Sequence, residues 1–210
     1  MKGFALVISV LLHPLLMSTY GCLLLFFGIH NTIYDYLTTA ETKWRITFIV
    51  FIFSFLFPAI NIYILYKLKR IPAITLSNQK DRTFPYIITA LFYFGLFYLM
   101  YDISIWSVIK LSVLISGFAI LLTAFINLKY KISAHMVGIG GLLGALISIS
   151  SIIRFDMTPF YIIIIILAGL IGFSRLKLNE HKPSQVYAGF LLGLITQTAL
   201  FFALQKITAT

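Results

Sequence analysis

The chain has 210 residues, 60% of them hydrophobic and 10% charged, with a mean hydropathy of +1.01 and a formal net charge of +10. That much apolar surface exceeds what one soluble core of this size can hide, which excludes an ordinary soluble domain and implies an integral membrane protein. The cations sit in short segments between apolar runs, so anionic lipid, phosphate and membrane topology account for them better than nucleic acid does.

Seven apolar runs follow one another, and most approach the roughly 20 residues that span a bilayer. The first, residues 3–29, opens like a signal peptide with "MKGFALVISVLL" but is too long and too closely followed by others, so it is expected to stay in the protein. It holds the single cysteine, Cys22, expected to be a small core residue with no disulfide or thiolate metal cluster. It also holds His13 before Pro14, expected to be hydrogen-bonded at a proline kink.

His30 opens a solvated loop, and the second run, 44–66, starts at Trp44, an interface anchor. The segment "KLKRIPAITLSNQKDRTFP" then mixes apolar and basic residues and is expected to lie along the interface, ending with Arg82 before a span that starts with Pro85. Runs 86–102 and 106–127 are joined by a short turn, where Asp102 and Lys110 snorkel and Trp106 anchors. The fifth run, 136–153, follows "KYKISAH" and contains "GIGGLLGA", whose Gly140 and Gly144 have the spacing of a close helix contact. The sixth, 160–173, reads as helix because "YIIIIILAGLIGF" does not alternate as barrel strands do, and the seventh, 186–204, follows "SRLKLNEHKPSQ". The reading is an all-α, polytopic transmembrane helical bundle of six or seven spans, one domain over 1–210.

With seven spans, parity puts the N-terminus and loops 67–85, 128–135 and 174–185 on one face. That face carries eleven of the sixteen cations, and the positive-inside rule makes it cytoplasmic. Without Lys80, Arg82, Lys131 and Arg175, which an anion site would recruit, the counts are seven against five, and the orientation stays open.

His135 and His181 both stand at helix starts on that face. Unpaired N–H groups and the positive end of the helix dipole there favour an anion. Ser133 is placed to cap the fifth helix or donate to a phosphate. Pro183 suits a first helical turn, which leaves His181 just outside it and brings Gln185 within reach of one imidazole nitrogen, an orienting role. Arg82 and Arg175 offer planar forks that can grip one phosphate from two helices. Such a pocket suits phosphoryl transfer, in which one histidine attacks phosphorus, the other protonates the leaving oxygen, and cations neutralise the developing charge.

In these residues the chain resembles the type 2 phosphatidic acid phosphatase superfamily, over roughly residues 80–204. "ISAH", residues 132–135, is similar to the family's P-S-G-H. Ser174, Arg175 and His181 match S-R-x5-H at its spacing. The resemblance implies a metal-independent, cofactor-free hydrolase of lipid phosphates or pyrophosphates in a bacterial plasma membrane, with its site on the outer face. In it His181 would be the nucleophile, His135 the general acid, and Arg175, Ser133 and Ser174 phosphate ligands.

The chain departs from the pattern in three places. Gln185 stands where the family has the aspartate that charges the nucleophilic histidine. Thr75 stands at the motif lysine seven positions before Arg82, so Lys80 or Lys131 would have to supply that charge, and Thr83 replaces the proline after Arg82. Ala134 replaces glycine. A catalytically weak or silent relative that binds lipid phosphate is therefore a competing expectation, and an unrelated small transporter a third.

Overall fold

The structure is a computed structural model that describes residues 1–30, 33–101, 107–153 and 155–208; the expectations at Asp102, Trp106 and Arg154 fall outside these. The described residues form helices and turns, with no strand. In chain order the helices are α1 (Lys2–Leu11), α2 (Met17–Leu23), α3 (Ile33–Leu37), α4 (Ala40–Phe51), α5 (Phe57–Lys67), α6 (Thr83–Leu99), α7 (Ser107–Asn127), α8 (Ala134–Ser150), α9 (Thr158–Lys177) and α10 (Pro183–Thr208).

Five segments are long and apolar enough to cross a membrane: Lys2–Gly28, Ala40–Lys67, Val108–Asn127, Thr158–Lys177 and Pro183–Gln205. The other two apolar helices, α6 and α8, have 17 residues each. At 1.5 Å per residue that is about 25 Å, short of a hydrocarbon core of about 30 Å. Ten of the residues of α8 are buried, so neighbouring helices rather than lipid surround much of it. Elsewhere the apolar side chains face outward: Leu91, Phe125, Ile163, Ile166, Leu191 and Ile195 are all at least half exposed. On a soluble monomer such a continuous apolar exterior would be an aggregation surface.

Two of the long segments are interrupted. In the first, His13 adopts an extended backbone (φ −65°, ψ 137°) before a single 3-10 turn at Pro14–Leu16, so the chain breaks between α1 and α2 rather than bending gently. The proline lacks the N–H that would continue the helix. π-helical turns at Leu24–Gly28 and Ile52–Leu56 end the first segment and join α4 to α5. Cys22 is buried in a core with Leu25, Phe26, Val50, Tyr93, Leu96 and Phe201.

The closest helix pair is α8 with α10. A Cβ added at Gly140 would stand 2.2 Å from the Phe190 carbonyl oxygen, and one at Gly193 2.1 Å from that of Val137. Gly144 lies against Leu194 and Gln197, and Gly189 against Ser133. Contacts climb both helices in the same direction, so the pair is parallel and both N-termini lie at one end. Hydrogen bonds hold that end together: Ser133 N–H donates to the Gln185 carbonyl at 3.3 Å, and Tyr130 to Ser184 at 3.0 Å. The loop before α6 is tied to the end of α7 by paired bonds between Gln79 and Asn127, at 2.6 and 2.8 Å.

Candidate functional site

The turn from α9 to α10 positions the site. Asn179 takes the left-handed conformation (φ 57°), its N–H donates to the Leu176 carbonyl at 3.0 Å, and the Glu180 N–H reaches the Arg175 carbonyl at 3.1 Å. This paired closure ends a helix and reverses the chain, and asparagine tolerates it better than most residues other than glycine. It returns Glu180 and His181 toward Arg175, which stands in the last turn of α9.

Pro183 then starts α10, with Lys182 at its N-cap. Gln185 Oε1 accepts from Lys182 N–H at 3.0 Å, as in a capping box, and lies 3.2 Å from His181 Nδ1. An amide oxygen only accepts, so Nδ1 carries the hydrogen. On the other side of the ring, Arg82 Nη1 lies 3.5 Å from Nε2, and a guanidinium only donates. Both neighbours therefore select the same tautomer, with the Nε2 lone pair facing Arg82. Burial pushes the His181 pKa down to about 4, and the nearby Arg82 and Arg175 charges act the same way, against the Gln185 bond. The imidazole is a neutral base at pH 7.

Arg82 is 4% exposed and held by its own loop: Nε donates to the Leu76 carbonyl at 2.6 Å and Nη2 to that of Ser77 at 3.3 Å. Glu180 stands between the arginines, its Oε2 3.8 Å from Arg82 Nη2 and 3.6 Å from Arg175 Nη2, and its Oε1 accepts from Ser77 at 3.2 Å. Arg175 also donates from Nη1 to the Ser9 hydroxyl at 3.4 Å, while its buried Nε has no partner. Ser9 serves a second residue as well. Its carbonyl oxygen is 3.1 Å from His135 Nε2, which must therefore bear a hydrogen, leaving Nδ1 as the nitrogen able to exchange a proton. The His13 ring packs edge-on against His135 at 5.5 Å, and its Nδ1 accepts from Leu15 N–H at 3.4 Å.

These groups line one end of a cavity of about 250 Å³, which His13, Arg82, His135, Arg175 and His181 all face. Its interior continues between the helices past Cys22, Tyr93, Ala145 and Leu146 to Ile109 and Ile149. Thr75, at the position of the motif lysine, lines the cavity and brings no charge.

The structure does not gather every residue singled out in the sequence. Ser174 is buried and donates to Leu170 of its own helix at 2.8 Å, so its hydroxyl is turned away from the cavity. Ser133 holds the N-cap position of α8 without a side-chain cap bond, and its buried hydroxyl has no partner. Lys80 is exposed and does not line the cavity. Lys131 is half-buried behind the arginines; partial burial, with Arg82 and Arg175 nearby and against the pull of Glu180, lowers its pKa. Three residues that motif reading passed over belong to the site: Glu180, Ser9 and His13. Only Glu180 carried a signal, as the one acid in a basic loop directly before the histidine.

Comparison with protein-family models, with curated proteins and with solved structures finds no match to this chain.

Proposed function

We propose that this is a membrane phosphatase of six or seven spans that hydrolyses a lipid phosphate or pyrophosphate through a phosphohistidine on His181. The observation that carries the reading is the His181 ring itself, with Nδ1–H held by Gln185 and the Nε2 lone pair directed to Arg82 in a cationic cavity shared with His135 and Arg175.

In the first step Nε2 attacks phosphorus as the bond from phosphorus to the lipid oxygen breaks. The leaving oxygen takes a proton from His135, whose imidazolium the arriving phosphate charge favours. Arg82 and Arg175 neutralise charge on the phosphoryl oxygens. In the second step water attacks the phosphohistidine, His135 takes the water proton, and phosphate leaves with Nε2 free again.

The test is phosphate release by the purified protein from short-chain phosphatidic acid and from a polyprenyl pyrophosphate, with acid-labile labelling of His181. Release that disappears in His181→Ala supports the reading, and equal release by both forms rejects it.

Two observations favour a second reading, a silent relative that binds lipid phosphate. Gln185 orients the imidazole without the charge of a carboxylate, and Glu180 already lies between the two guanidinium groups. Binding without turnover in both wild type and Gln185→Asp would select it.

A further inference from the structure

We infer that the cavity accepts a phosphate carrying one apolar chain, and that the first five or so carbons of that chain lie inside the helix bundle rather than in the bilayer. The inference rests on the phosphate-binding part of the functional reading and does not require turnover.

The cavity is strongly polarised. Its cationic end is built by Arg82, Arg175 and the two histidines at the helix starts, and the rest of its wall is mainly apolar, interspersed with neutral polar residues such as Ser18, Thr89, Ser112, Thr123 and Gln197. Along α8 the lining residues include His135, Gly138, Gly141, Ala145 and Ile149. That spacing of three and four keeps them on one helix face. From His135 to Ile149 is 14 residues, about 21 Å at 1.5 Å per residue. Small residues occupy the middle of this row, and a Cβ added at Gly141 would meet nothing closer than 4.0 Å, so the passage stays open there.

Volume sets the number of chains. A cavity of about 150 Å³ holds one benzene ring, six carbons. By that measure about 250 Å³ takes about ten non-hydrogen atoms, and with about half of them belonging to the phosphate group, about five carbons remain inside. A diacyl glycerol phosphate has two chains that diverge within a few bonds of the phosphate, and both cannot enter. A monoalkyl or isoprenoid phosphate can.

The experiment uses the full-length protein in detergent, with monoalkyl phosphates of four to sixteen carbons and dioctanoyl phosphatidic acid as probes, each scored by displacement of a fluorescent decyl phosphate. Affinity is expected to rise by about tenfold from four to six carbons and then level off, with the diacyl probe at least tenfold weaker than decyl phosphate. Ala145→Phe, which fills the passage two-thirds of the way along, is expected to move the plateau to four carbons or fewer; Ile163→Phe on the outer face of α9 leaves it in place. A hexyl phosphate with a terminal diazirine provides a measurement independent of any variant and is expected to label Leu142 or Leu146.

Affinity that climbs steadily to sixteen carbons, equal binding of the diacyl probe, or labelling confined to outward residues such as Leu91 and Ile163 would overturn the inference, even if phosphate is released. Length-limited binding with internal labelling but no phosphate release would uphold it while removing the phosphatase reading.

Discussion

Glu180 Oε2 lies 3.6 Å from Nη2 of Arg175, and the same oxygen lies 3.8 Å from Nη2 of Arg82. A carboxylate from the protein's own chain thus balances the two forks that an incoming phosphate would need. The contacts are long and the carboxylate is partly solvated, so each pair contributes on the order of 1 kcal/mol or less.

Glu180→Gln is therefore expected to lower KM, or the Kd of a nonhydrolysable phosphonate, by about fivefold, the equivalent of roughly 1 kcal/mol. The same change leaves two buried guanidinium groups facing each other, so thermal unfolding in detergent should move a few degrees lower. Unchanged phosphate affinity would show that Glu180 does not compete for the site.

Acid should act through His181. Its folded pKa, about 4, lies below the ordinary histidine value of 6.5, so between those limits the unfolded chain binds a proton that the folded one refuses. Stability is full above about pH 6.5, falls as pH drops toward 4, and then levels. Turnover should keep its acid limb near pH 4. Gln185→Glu keeps the reach of the side chain and adds a charge that favours imidazolium, so the limb should move up by about one unit or more. A pH–kcat/KM profile of both forms checks this.

Arg82→Lys keeps the charge and loses the fork. One ammonium cannot reach the Leu76 and Ser77 carbonyls while also approaching His181 Nε2. A fall in kcat/KM on the order of 100-fold is expected, with faster proteolysis of the 72–80 segment that the arginine ties down. Ser174→Ala is the contrasting change, because its hydroxyl bonds only to Leu170 of its own helix, and activity within about twofold of wild type is expected.

Gly193→Ala should be severe for a small change. Its methyl group would press on the Val137 carbonyl oxygen at 2.1 Å, backbone against backbone, and the helices must part by more than an ångström. A loss of about 3 kcal/mol or more in stability is expected, together with phosphate binding. Gly169→Ala, where an added methyl meets nothing within 4 Å, should instead stabilise α9 by roughly 0.5–1 kcal/mol. Thermal unfolding of the two variants separates the cases.

The legible parts of the chain were those encoded by local spacing. Hydropathy gave the seven helical segments to within a few residues, Gly140 and Gly144 marked a close helix contact without naming α10 as its partner, and Pro183 with Gln185 three positions from Lys182 placed an amide within reach of His181. What hydropathy could not give is how each helix is surrounded: α8 is apolar because protein encloses much of it, and its 17 residues fall short of a bilayer. Contacts made across the fold were also hidden. Ser9 meets Arg175 from 166 positions away and His135 from 126, and nothing in "LVISVLLHP" marks it for either. Ser174 shows the reverse failure: its place in the motif suggests a ligand, but a serine inside a helix bonds readily to the carbonyl four residues back.

Because α8 and α10 meet through glycine, the thickness of bare main chain acts as a mechanical stop between the two histidine-bearing helix ends. At Gly140 and Gly193 the contact is backbone against backbone, where no side chain can change rotamer and let the helices drift. Outer positions such as Leu91, Ile163 and Leu191 can then be exchanged freely among greasy residues without altering the working geometry.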